Sequence, residues 1–127
     1  MALQPQIVKL VEKLTELTGQ NKIAWETTAD EDTFLTSAGK SVVTVGRGAG
    51  TDDDADYRIQ ILNNSGQVIE EAVAGRNDYL LDGGITLALS MHVDWQKTRS
   101  LHEMARRSAL HADQAVAELL SSLEQIR

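Results

Sequence analysis

The sequence predicts an α+β domain: an N-terminal helix, an antiparallel β-meander of four to five strands, and C-terminal helices packed on one sheet face. Three observations carry this. The hydrophobic period changes from helical to alternating after about residue 20 and turns helical again toward the C-terminus. Short Gly- and Asn-containing turns join the alternating segments, which favours antiparallel neighbours over crossovers. The chain of 127 residues suits one domain, 1–127, and at that length roughly two-thirds of the unfolded surface can be buried.

The first helix is read over residues 5–18. Pro5 fits the first turn, where a missing N–H costs nothing. Ile7, Leu10, Val11, Leu14 and Leu17 form one stripe, and Gly19 is placed to stop the helix in the left-handed conformation. In KIAWETT, Ile23, Trp25 and Thr27 alternate with Lys22, Ala24 and Glu26 as in a half-buried strand. Phe34 and Leu35 belong to a second strand, Ala38-Gly39-Lys40 to a turn, and SVVTV to a β-branched third strand. YRIQILN sets Tyr57, Ile59 and Ile61 against Arg58 and Gln60. Asn64-Ser65-Gly66 turns the chain into QVIEEAV, the fifth strand.

Residues 74–84 read as a loop. ITLALSMHV, 85–93, alternates like a strand, but its Leu, Ala and Met are helix formers and no turn separates it from the next segment, so a helix is expected. Over 95–110, Trp95, Thr98, Leu101, His102, Ala105 and Ala109 share a face. Asp113 has the chemistry of an N-cap for a last helix with the stripe Val116, Leu119, Leu120, Leu123 and Ile126.

Composition excludes several functions. With no cysteine there is no thiol catalysis, disulfide framework or cysteine–zinc site. A formal charge of −7 argues against nonspecific nucleic-acid binding and against an anionic membrane surface. No apolar run is long enough to span a bilayer, and the N-terminus lacks the pattern of a secretion signal, so a cytoplasmic location is expected. The aromatic fraction of 4% makes the expected core aliphatic.

GRGAGTDDDAD, 46–56, is the loudest local motif. Its glycines lack the strand-to-helix context and spacing of a dinucleotide fingerprint, and no P-loop lysine follows. Asp52, Asp54 and Asp56 stand at positions 1, 3 and 5 of a calcium loop. Tyr57 occupies the position that needs glycine, and Asn63 the position that needs a bidentate glutamate. These three are the candidate metal ligands. The plainer reading is a solvated connection between two strands, held open by like charges. His102 and His111 would fall on opposite faces of one helix, and Glu70 and Glu71 on opposite faces of one strand, so neither pair makes a site. Nothing marks a serine as activated. Lys97, Arg99, Arg106 and Arg107 form a basic group suited to an acidic partner or a phosphate, or simply to pairing with the chain's own carboxylates.

Three segments, KIAWETTADEDTF (22–34), YRIQILNNSGQVIEE (57–71) and ARRSALHADQAVAELLSSL (105–123), resemble a group of short bacterial proteins, also found appended to larger chains. In that group a K-x-x-W-E strand opens a small meander, and an ARR-x-AL helix with a short last helix closes it. This chain departs in having more residues between Glu71 and Ala105, and His111 where a glycine is often seen. The resemblance implies the fold and a bacterial or phage setting, and it carries over no activity.

The function expected on these grounds is a small acidic, non-enzymatic interaction module: an adaptor, regulator or immunity-type partner. It would pair as a homodimer or with a protein partner through its C-terminal helices, without a cofactor. The alternative is a small-molecule or divalent-ion sensor using the 46–56 loop or a pocket between helices and sheet.

Overall fold

The computed structural model describes residues 5–48, 55–75 and 85–126, excepting the side chains of 85–93. The order of elements is α1 (Pro5–Gly19), β1 (Glu26–Thr27), β2 (Thr33–Ala38), β3 (Ser41–Arg47), β4 (Tyr57–Leu62), β5 (Val68–Ala74), α2 (Ile85–Ala109) and α3 (Ala112–Glu124). The five strands form one antiparallel sheet in the order β1-β2-β3-β4-β5, an uninterrupted meander. The α+β class, the meander and the placement of helices on one sheet face are as the sequence predicts.

Strand alternation decides which face is covered. Phe34, Val45 and Ile59 lie in register across β2, β3 and β4 and are at most 2% exposed. α2 crosses this face and meets every strand, while α1 packs beside α2. Ile7, Val11 and Leu14 of α1 join Trp25, Phe34, Val43, Val45, Ile59, Leu101 and Ala105 in one core cluster. The α2 face read from the sequence is buried at all six positions, from Trp95 to Ala109. The segment 85–93 is helical, so the alternating pattern there was overridden by its neighbours and by helix-forming residues.

The other sheet face carries polar side chains in its middle row. Thr44, Gln60 and Glu71 stand abreast, with Gln60 Nε2 donating to Glu71 Oε2 at 2.8 Å and Arg58 3.5 Å from Glu71 Oε1. Such a face can stay in water. Gly46 also belongs to it. A Cβ there would come within 2.7 Å of Thr33 Oγ1 on the adjoining strand, so the glycine lets β2 and β3 close up.

Four local expectations are corrected. β1 is two residues long rather than the whole of KIAWETT. Ile23 and Trp25 do point inward, but the backbone before β1 is satisfied by side chains instead of a ladder. The Trp25 N–H donates to Ser108 Oγ, and the Thr36 hydroxyl donates to the Ala24 carbonyl. In α1, Thr18 rather than Leu17 completes the buried stripe, because its Oγ1 accepts the Trp25 Nε1–H at 2.9 Å while donating to the Leu14 carbonyl. The left-handed residue after α1 is Asn21, with φ 58, and not Gly19. Lys22 N–H then returns to the Leu17 carbonyl at 2.9 Å.

The last correction concerns α3. Its N-cap is His111, in the left-handed conformation with no side-chain cap, and Asp113 sits inside the first turn. The helices are separated only by Leu110 and His111, so the chain has no room to place Asp113 before the turn. Asp113 instead accepts a hydrogen bond from Arg107 Nη2 at 2.6 Å. The loop expected over 74–84 lies outside the described residues beyond Gly75, and Ala74 closes β5.

Candidate functional site

The basic residues of α2 are spread along the helix and engaged within the chain. Lys97 reaches Glu12 on α1 at 2.6 Å. That hydrogen bond, helped by the charges of Glu12 and Asp94, holds the ammonium above its ordinary 10.5. Arg106 grips Glu103 through both Nε and Nη2, at 3.2 and 2.8 Å. The bidentate contact holds the Glu103 carboxylate below its ordinary value and raises Arg106. Arg99 lies over the Trp95 ring, 5.3 Å from its centroid. Arg107 holds Asp113. Lys97 and Arg106 are nine residues apart, about 13 Å along the axis, so the four cations do not converge on one ligand.

The aspartate connection is only partly visible. Asp52 and Asp54 lie outside the described residues. Asp56 is exposed, and its carbonyl accepts the Gly48 N–H at 2.7 Å, which closes the base of the connection. Among the described residues, no group of three or more His, Asp or Glu side chains is placed to hold a metal ion.

Of the histidines, His102 has a clear job in the fold. It is 6% exposed, between α2 and the sheet, with its ring 5.5 Å from Phe34 and 5.2 Å from Tyr57. Nε2 lies 2.8 Å from the Asp32 carbonyl and must donate to it, which fixes the ring's orientation. This pins the loop before β2 to α2. Nearby, Trp95 Nε1 donates to the Ala55 carbonyl at 2.7 Å, so the same helix anchors the start of β4.

A cleft of about 410 Å³ opens where the end of α1, the end of α2 and the start of α3 meet. Thr18, Asn21, Ser108, Arg107, His111 and Asp113 line it. Its best-placed polar groups already serve each other: Ser108 caps the Trp25 N–H, Thr18 holds the Trp25 indole, and Arg107 binds Asp113.

The most unusual feature is the surface of α3. Val116, Leu119, Leu120 and Leu123 of α3, and Ile126 just past its C-cap, are all 53–72% exposed, and no residue of the helix is buried. The helix meets the rest of the described molecule mainly through α2. Five large aliphatics on one face in water make a patch of the kind that marks an interaction surface. The sequence had identified this stripe as amphipathic; its exposure could not be read from the pattern. A smaller set, Val68, Ile69 and Val73, is exposed on the edge strand β5.

No helix among the described residues is long and apolar enough to cross a membrane. Comparison with protein-family models, with curated proteins and with solved structures found no match to this chain.

Proposed function

We propose that the protein is a small acidic, non-enzymatic interaction module, and that α3 is its docking element. The observation that carries this is the exposed aliphatic stripe of α3. A helix whose apolar face is left in water gains free energy from any surface that covers it, about 25 cal/mol for each Å² removed from solvent. The body of the domain acts as the scaffold that presents it. The engaged state of the α2 cations fits this reading, since Lys97 ties α2 to α1, Arg107 ties it to α3, and Arg106 pairs within α2.

The test compares the wild type with Leu119→Lys/Leu123→Lys in binding assays from native lysate and in mixtures of the purified chain. Exposed positions tolerate the change, so the circular-dichroism spectrum and the melting midpoint near micromolar protein should be kept. The stripe variant is expected to lose association both with other proteins and with itself. Association that is the same in both proteins sinks the proposal.

A second reading, a small-molecule sensor, is favoured by the cleft between α1, α2 and α3. It ranks lower because Thr18, Ser108, Arg107 and Asp113 there already serve the fold. Thermal-shift measurement with nucleotides and divalent ions decides it: stabilisation of several degrees at micromolar ligand, abolished by Gln114→Lys at the exposed rim of the cleft, supports a sensor, and no shift removes it.

A further inference from the structure

The stripe's own spacing and area indicate what covers it. We infer that the occupant is a second copy of this chain, with the two α3 helices packed antiparallel. This rests on the reading of α3 as the docking element and names its partner.

The first argument is size. At roughly 100 Å² of exposed surface per large aliphatic side chain, the stripe presents about 500 Å². That reaches the range of about 300–600 Å² for the largest patch on an ordinary monomer. Two copies that cover all five side chains of each stripe, with Leu120 flanking the seam, bury about 1,000 Å², the floor for a specific interface. A single α3 laid on a flat polar surface would cover only half of that apolar area.

The second argument is pattern. Val116, Leu119 and Leu123 of α3 and Ile126, which lies past the helix end and is held in the closing turn by its N–H bond to the Leu123 carbonyl at 3.1 Å, are spaced 3-4-3. That is the knobs-into-holes repeat, and it reads the same in both directions. A copy turned end for end therefore sets Val116 beside Ile126 of the other copy, and Leu119 beside Leu123. Four layers form, each with a large side chain from both helices.

The third argument is charge. α3 contains Asp113, Glu118 and Glu124 and no basic residue. Glu118 and Glu124 lie off the stripe, and Asp113 is turned to Arg107, so the seam buries no charge. Each chain carries a formal −7. Parallel helices would bring two acidic bodies side by side. Antiparallel helices place them at opposite ends of a rod about 20 Å long, twice the distance over which salt screens charge.

The chain has no cysteine, so single introduced thiols report cleanly. The full-length Val116→Cys and Ile126→Cys variants are oxidised alone and as an equimolar mixture. The mixture is expected to give a disulfide-linked pair, and neither variant alone should, because like positions then lie about 15 Å apart along the seam. Sedimentation equilibrium on the wild type should show a dimer, with the dissociation constant raised about 100-fold in Leu119→Lys/Leu123→Lys. Cross-linking of Val116→Cys with itself overturns the antiparallel arrangement. A wild type that remains monomeric at several hundred micromolar overturns the second copy as occupant. If that monomer still retrieves another protein through the stripe, the docking role of α3 survives; if it retrieves none, both fail together.

Discussion

α2 and α3 are consecutive amphipathic helices, two residues apart, and they meet opposite fates. The face of α2 from Trp95 to Ala109 is at most 9% exposed, and the helix as a whole touches every strand of the sheet. The face of α3 is more than half exposed at every large aliphatic position. Yet by period alone α3 has the cleaner stripe: five large aliphatics, against a face on α2 that mixes Thr98, His102 and two alanines with its Trp and Leu. The comparison separates two things that periodicity runs together. A stripe says that a helix needs a partner; it does not say that the partner is in the same chain. α2 occupies the sheet, and its small residues let it lie close. α3 starts from a left-handed His111 that turns it away from the continuing line of α2.

The largest expected effect tests this contrast directly. Leu101 on α2 is 0% exposed and Leu119 on α3 is 60% exposed. Leu101→Ala should cost about 2–5 kcal/mol, through lost burial and a cavity that cannot fully collapse. Leu119→Ala should stay within about 0.5 kcal/mol when measured near micromolar protein. Urea denaturation gives both values. Repeating it at a hundredfold higher concentration sharpens the comparison, because pairing through α3 would then add stability that Leu119→Ala removes. Equal losses at low concentration would mean that α3 is covered within a single chain.

The next effect concerns polar anchoring, which α2 has and α3 largely lacks. Ser108 accepts the Trp25 N–H at 3.0 Å, and Trp25 is 2% exposed. Ser108→Ala leaves that donor without its partner and should cost about 1–3 kcal/mol. Among the described side chains, α3 is tied back to α2 by the Arg107–Asp113 pair, whose carboxylate side is 92% exposed. Asp113→Asn should change global stability by about 1 kcal/mol at most. Its sharper signature is local: hydrogen exchange in α3 should quicken while exchange in α2 is unchanged. Faster exchange throughout α2 would show that the two helices open as one unit.

These anchors also mark the limits of what was legible beforehand. The meander was readable because Tyr57, Ile59 and Ile61 alternate with polar neighbours and because turns at Gly39 and Gly66 are cheap in sequence terms. Both glycines do take positive φ, 63° and 83°. The buried face of α2 was readable residue by residue. The truncation of β1 was not, since it depends on Ser108 and Thr36, distant residues that take over the backbone's hydrogen bonds. Nor was the structural role of His102, which needs Asp32 brought alongside α2 by the fold. For the candidate site, the stripe of α3 was legible as a stripe, and the basic residues were legible as a group. Their separation along α2 and their separate carboxylate and ring partners belong to the tertiary structure. The closest local clue was Glu103, three residues before Arg106, a spacing that favours a helical ion pair.

That pair gives the smallest effect and a definite sign. Glu103 is held below its ordinary 4.5, first by its hydrogen bonds to Arg106, which outweigh the opposing effect of burial, with the neighbouring positive charges adding to the same direction. A carboxyl whose folded pKa is depressed contributes stability that is fully present above its unfolded pKa. That stability fades as pH falls through the folded value. The loss therefore falls below pH 4.5. Both side chains are about half exposed, 41% and 55%, so solvent screening limits the contribution to about 0.5 kcal/mol. Glu103→Gln should lower stability by that small amount at neutral pH and by less as the solution is acidified, so the two stability curves draw together as pH falls below 4.5. The same convergence should appear at neutral pH when salt is raised to about 1 M, where the screening length falls to about 3 Å. A gap between the variants that persists in acid would show that Glu103 acts by packing along α2 and not by charge.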